Sequence, residues 1–185
     1  MFKGVYDNYS MGITNSCIKI QKDAQVDERP LVPYKWIAHR GNIMGPDSRE
    51  NNPIYVNNTL KMGYDCEIDV RYIDGQLYMG HDHADYEIPL NYLLDNCNKL
   101  WIHCKNVEAM EFLLSYSCLN IFWHQEDDYT LTRKGFIWAY PGKKITQTSI
   151  ILMPENSGLD TFIKEGYGVC SDYVVQLQGR NRGIK

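Results

Sequence analysis

The sequence predicts an α/β protein built as a reduced (β/α)8 TIM-type barrel. Three observations carry that expectation. From Trp36 onward, eight short runs rich in β-branched and aromatic residues recur along the chain. Segments with helical spacing fill several of the gaps, the alternation expected of parallel βαβ units. Polar side chains collect at the C-terminal ends of the runs, and in a barrel those ends meet at one mouth.

Residues 1–34 are polar and irregular, and the two prolines of "ERPLVPY" set them apart from the rest of the chain. They are expected to form an arm packed on the barrel, with one strand over 16–21, and residues 35–185 form the barrel domain. The strand runs are "WIAHRG", "DCEIDVRYI", "QLYMGHD", "LWIHCKN", "NIFWHQED", "GFIWAYPG", "SIILMPE" and "GVCSDYV". Between them, "NPIYVNNTLKMG" reads as a helix stopped by Gly63. "PLNYLLDNC", "VEAMEFLLSYS" and "NSGLDTFIKEG" read as further helices. The tail "GRNRGIK" reads as a frayed terminus.

The chain is short for this fold, which typically takes about 250 residues. Two gaps, "DYTLTRK" and "GKKITQT", are too short for crossover helices. The expectation is a barrel that has lost helices there. The alternative is that "YTLTRKGFIWAY" is a local hairpin and the strand count is wrong. The uncovered outer strands of the reduced barrel would need the N-terminal arm or a partner subunit, so a homo-oligomer is open.

Composition excludes several classes. The 185 residues are 44% hydrophobic and 23% charged, a globular rather than a disordered balance. Net charge is −4 and the basic residues are scattered, apart from Lys143–Lys144 and the tail. A nucleic-acid partner needs a concentrated basic footprint, so none is expected. No apolar run approaches the ~20 residues needed to span a bilayer, so no membrane span is expected. The first residues show no signal-peptide pattern. Six cysteines form no CxxC pair, which argues against structural zinc and suits a reduced, cytoplasmic protein, while disulfides stay formally open. Fourteen tyrosines suit a carbohydrate or polar-lipid pocket.

The second run has its own logic. Alternation puts Glu67, Asp69 and Arg71 on one face and Cys66, Ile68 and Val70 on the other. Either the charged face is wet, as in many antiparallel sheets, or it points into a barrel where carboxylates need a cation. The strand ends shift the balance toward the second. His39 and Arg40 end the first run, His81 and Asp82 the third, and His103 and Lys105 lie in the fourth. His124, Glu126 and Asp127 close the fifth, and Glu155 and Asp172 the last two.

Taken together, "AHRGN…ENNP…GYDCEIDVRYIDGQLYMGHD…IHCKN" resembles the glycerophosphodiester phosphodiesterase family, within the phospholipase-C-like phosphodiesterases. The likeness rests on His39-Arg40-Gly41, Glu50-Asn51, Glu67-x-Asp69-Val70, Asp74-Gly75 and His81-Asp82. Lys105 fits the family's fourth-strand lysine, and residues 106–160 do not align.

The resemblance implies a metal-dependent hydrolase that cleaves a phosphodiester with His39 and His81 as the acid/base pair. It implies Arg40 and Lys105 as phosphate-binding cations, and Glu67 and Asp69 as oxygen ligands for a divalent metal ion, Mg2+ or Ca2+. The family's third acid corresponds to His103. If His103 is a ligand, imidazole favours Mn2+ or Zn2+. Otherwise Glu126 or Glu155 completes the shell. Glu50 and Asn51 either contact substrate or brace the loop after the first strand. Trp123, Trp138 and Tyr140 pack in the barrel or wall the substrate's alcohol. The subdomain that often comes after the third strand in the family has no room here, so a small-molecule or glycan-linked phosphodiester bulkier than a simple glycerophosphodiester is the expected substrate. The competing expectation is a catalytically degenerate barrel that binds a phosphorylated ligand or partner. A third is a lyase-like reaction releasing a cyclic phosphate.

Overall fold

Nine residues of unbroken extended chain, Asp65–Ile73, form β2, around which one sheet is assembled. The computed structural model describes residues 34–157 and 165–181. Their strands are β1 Lys35–His39, β2, β3 Gln76–Met79, β4 Tyr86–Ile88, β5 Leu100–Cys104, β6 Asn120–Phe122, β7 Tyr129–Leu131, β8 Ile137–Ala139, β9 Ser149–Leu152 and β10 Gly168–Ser171. Helices α1 Pro53–Lys61, α2 Leu90–Asp95, α3 Val107–Leu114 and α4 Val174–Asn181 flank them. The expected arm over 1–34, apart from Tyr34, lies outside the described residues, as does most of the helix expected over 156–166.

The expected (β/α)8 TIM-type barrel is not what forms. The ten strands make one mixed sheet curled into a half-barrel, with four helices among the described residues. Seven strands run parallel in the order β6-β5-β2-β1-β10-β9-β8. Among the described residues no strand pairing joins β6 to β8, so the curl stays open. The rim there is bridged by the Arg133 N–H, which donates to Ile121 O, and the Thr130 hydroxyl, which donates to Trp123 O.

Two of the departures have a visible cause. β3 pairs antiparallel with the outer half of β2, from Val70 opposite Met79 to Ile73 opposite Gln76. The connection is the two-residue turn Asp74-Gly75, with φ of 50° and 85°. Asp-Gly in this left-handed pair is the favoured tight hairpin, because its twist matches that of the strands. A two-residue link cannot reach a parallel position, so β3 is a hairpin arm and not a barrel stave. The stretch "YTLTRKGFIWAY" is likewise a hairpin, with Leu131 opposite Ile137 in β7 and β8. The eight expected runs are all extended, but two further short strands, β4 and β7, lie between them.

The helices obey local signals. Asn52 caps α1, its side chain accepting from the Ile54 and Tyr55 N–H groups, a contact worth about 1 kcal/mol. Pro53 occupies the first turn, where its missing N–H costs nothing. Gly63, at φ 97°, closes the end. α4 is seated by Val174 and Leu177, buried against β1 and β10, and it takes in the first three residues of the tail read as frayed, 179–181; residues 182–185 lie outside the described residues.

The main core lies between the sheet's outer face and the helices. It gathers Cys66, Ile68 and Val70 from β2, Ile102 and Cys104 from β5, and Val56, Leu60, Ala109 and Leu113 from the helices. Inside the curl sits a second cluster of Ile37, Trp101, Phe122, Trp138 and Ile150. The Trp101 indole N–H donates to Asp65 Oδ2 at 3.1 Å, and Lys35 Nζ lies 2.8 Å from the same oxygen, so the base of the curl is plugged. Among the described residues no helix is long and apolar enough to cross a membrane.

Candidate functional site

β2 carries its odd-numbered side chains into the curl, above the apolar plug. Glu67 and Asp69 are buried there, at 3% and 1% exposure. Across β1 and β5, His39 lies opposite Glu67 and His103 opposite Asp69 in register. With Arg40, His81 and Lys105 they line a cavity of about 330 Å3, walled on the far side by Phe122, Trp138 and Tyr140.

His81 arrives by a different route from the one expected. It comes just after the end of β3, and β3 runs back toward the mouth because it is antiparallel. The Gly80 N–H donates to Asp69 O at 3.1 Å, which sets His81 beside the acidic pair. Gly80 has φ 147°, and a Cβ there would collide with the His83 carbonyl oxygen, so glycine is required at this bend. Arg71 fixes the loop. Its guanidinium donates to the carbonyl oxygens of Gly80, His81 and Asp82.

Each histidine of the pair has a carboxylate on Nδ1. His39 Nδ1 lies 2.8 Å from Asp172 Oδ1, and His81 Nδ1 lies 2.7 Å from Asp82 Oδ1. The carboxylate accepts, so Nδ1 carries hydrogen and Nε2 faces the cavity side free to take or give a proton. Their environments diverge. Burial lowers the His39 pKa, but the Asp172 hydrogen bond and the Glu67 charge outweigh it, and the net shift is upward. Burial lowers His81, Asp69 opposes this, and the cations Arg40 and Lys105 keep the net shift downward. Asp172, against its own burial, is held below the usual carboxylate range by His39 and Asn42.

Arg40 is clamped rather than free. Its Nη1 lies 2.9 Å from Glu50 Oε2 and its Nε 3.2 Å from Asp69 Oδ2. Its backbone is left-handed at φ 52°, held by an N–H bond to Glu67 Oε2 and a carbonyl bond from the Asn51 N–H. Asn51 is also left-handed, at φ 60°. Its amide donates to Asp69 Oδ2 and its carbonyl accepts from the Asp69 N–H, both at 2.9 Å. Strained backbone of this kind persists where surrounding contacts over-determine it. Glu50 and Asn51 therefore brace Arg40 and Asp69.

Glu67, Asp69 and His103 bring one ligand atom each to within 4.8 Å of one another. His103 Nε2 lies 2.8 Å from His124 O, and a carbonyl can only accept, so the ring hydrogen sits on Nε2. In the neutral ring Nδ1 then presents a bare lone pair, 3.1 Å from Asp69 Oδ1 and 3.9 Å from Glu67 Oε1. Asp69 Oδ1 is fully buried without a hydrogen-bond partner among the described residues. Three converging lone pairs in a buried site call for a positive charge between them. The residues present thus fit a divalent cation, with one nitrogen and two oxygen donors. Burial and Asp69 push the Glu67 carboxyl up, whereas Asp69, despite its burial, is held below the usual range by its cationic and hydrogen-bonding neighbours, Arg40 and the Asn51 amide among them. Lys105 Nζ stands 3.8 Å from Asp69 Oδ1.

The other candidate third acids lie elsewhere. Glu126 is exposed, and Glu155 accepts from the Ser171 hydroxyl at 2.8 Å. Trp138 and Tyr140 line the cavity, whereas Trp123 packs on the outer core. Sequence reasoning gave Asp172 no role, although its position at the end of a strand was visible. It also passed over Asn42, whose amide donates to both Glu50 and Asp172. No protein-family model matches this chain, and no curated protein or solved structure matches it either.

Proposed function

We propose that this protein is a phosphodiesterase whose acid/base pair is His39 and His81. The observation that carries the reading is the convergence of two carboxylate-backed histidines, two cations and a Glu-Asp-His cluster on one cavity. Phosphodiester cleavage requires a base for the attacking hydroxyl and an acid for the leaving alkoxide. His81, with its lowered pKa, is neutral near pH 7 and takes the proton on Nε2. His39, with its raised pKa and Asp172 behind it, holds a proton on Nε2 for the leaving oxygen.

Glu67, Asp69 and His103 would hold the divalent cation, which when bound supplies Lewis-acid charge to a phosphoryl oxygen. Arg40 and Lys105 stand beside the same cluster and neutralise the remaining anionic charge. Because Arg40 is clamped by Glu50, it offers a preset direction rather than a flexible contact. The aromatic side of Trp138 and Tyr140, the latter 46% exposed, suits a substrate whose alcohol is a sugar or another ring-bearing group.

The test is turnover of a panel of glycerol-linked and sugar-linked phosphodiesters, with and without chelator, in wild type and in His39→Ala and His81→Ala. Loss of turnover in both folded variants and on chelation is expected. Full activity in either variant removes the mechanism. Calorimetric binding of a phosphate ester with no turnover under any metal turns the reading to a phosphate-ester binder. Phosphorus NMR of the product distinguishes hydrolysis from release of a cyclic phosphate.

A further inference from the structure

At the end of the sheet opposite the mouth, two cysteines meet. β5 and β6 are adjacent and parallel, with Trp101 opposite Asn120. Cys97 lies in the turn just before β5 and Cys118 in the turn just before β6. Both are free thiols, Cys97 half-buried and Cys118 exposed, and their side chains are close enough to influence one another.

The turns that carry them are fixed. The Cys97 N–H donates to Leu94 O at 3.3 Å, and the Leu119 N–H donates to Tyr116 O at 3.1 Å. The loop between β7 and β8 ties the two together. Lys134 Nζ donates to Cys97 O at 3.2 Å, while Arg133 Nη1 donates to Leu114 O at 2.8 Å at the end of α3. The two thiols thus sit on adjacent, braced turns at the same end of neighbouring strands, with the Lys134 ammonium beside Cys97. Burial and the neighbouring Cys118 thiol push the Cys97 thiol up, with Lys134 opposing. The exposed Cys118 is accordingly the thiol that meets a reagent first.

We propose that Cys97 and Cys118 form a redox-responsive thiol pair that closes to a disulfide by exchange with a low-molecular-weight disulfide, stapling the turn before β5 to the turn before β6. The Cys118 thiolate attacks one sulfur of the small disulfide RSSR, forming a protein–S–S–R bond and releasing RS−. Cys97 then gives its proton to solvent and its thiolate attacks the Cys118 sulfur, expelling the second RS−. Two protein thiols lose two electrons and two protons, and one small disulfide becomes two thiols. The staple closes a loop of about 20 residues that includes β5 and α3. It lies away from His39 and His81 and stands independently of the phosphodiesterase reading.

The full-length protein is incubated with oxidised glutathione, the remaining thiols are blocked with a maleimide, and the peptides are mapped by mass. A Cys97–Cys118 cross-linked pair, two hydrogens lighter than the separate peptides and restored by dithiothreitol, is the expected product. In Cys97→Ser, glutathione is expected to remain on Cys118 as a mixed disulfide. The oxidised wild type is expected to unfold roughly 5–10 °C above the reduced form, a rise absent in Cys97→Ser. A glutathione adduct that persists on Cys118 in the wild type, or a Cys118–Cys118 dimer in place of the internal pair, overturns the proposal.

Discussion

His103 turns Nδ1 toward Asp69 Oδ1 at 3.1 Å while its Nε2–H is committed to the His124 carbonyl oxygen. In the neutral ring this leaves a lone pair turned to the acidic pair, and backbone holds that tautomer. A nitrogen donor at this position favours Mn2+ or Zn2+ over Mg2+ or Ca2+. His103→Asp is expected to lower Zn2+ affinity by about tenfold or more and to raise Mg2+ or Ca2+ affinity. Calorimetric titration of each ion into wild type and variant measures both changes. An unchanged order of affinities removes His103 from the ligand set.

The two histidines should shape the pH dependence of turnover. His81 is shifted below the ordinary histidine value of about 6.5 and His39 above it. The competent state, neutral His81 with protonated His39, thus fills the window between the two. The rate is expected to rise as His81 loses its proton on the acid side and to fall as His39 loses its proton on the alkaline side. Asp172→Asn removes the charge that keeps His39 protonated, so the alkaline limb should move to lower pH. Turnover at the optimum should fall by about 10²–10⁴-fold. A variant with an unmoved alkaline limb contradicts the pairing of roles.

Arg71 acts on His81 through the backbone. Its fork binds three consecutive carbonyl oxygens, which a lysine ammonium cannot reproduce in one geometry. Arg71→Ala and Arg71→Lys should both lower kcat, by about 10–100-fold, with little change in KM. Circular dichroism should show the fold retained. Full kcat in Arg71→Lys would mean that charge alone suffices there.

Asn51 predicts a stability effect that is independent of any activity. Asn51→Ala deletes two buried hydrogen bonds to Asp69 and leaves alanine at φ 60°. The cost is about 3 kcal/mol, read as a lower midpoint in urea unfolding. A change below about 0.5 kcal/mol would show that the Asp69 brace is dispensable.

Much of the local structure was legible in the chain. The eight strand runs, the Asn52–Gly63 helix and the split of β2 into an apolar and an acidic face arise from periodicity and capping, which are properties of neighbouring residues. So does the hairpin that breaks the barrel. Asp74-Gly75 is a tight-turn signal, and reading it only as a family motif concealed its geometric consequence.

On its own, the order of residues specified the chemical groups and the faces they take: Glu67 and Asp69 on one side of β2, with histidines and cations near strand ends. Which of them meet was settled by tertiary folding. Strand order put His39 and His103 on either side of the acidic pair, and an antiparallel return, not a third parallel stave, delivered His81. It also recruited Asp172 from 133 positions away to His39 and, among the described residues, left β6 and β8 unpaired. The difference is one of range. Alternation and turn chemistry act over a few residues, whereas pairing between distant strands is settled by the burial and hydrogen bonding of the whole sheet.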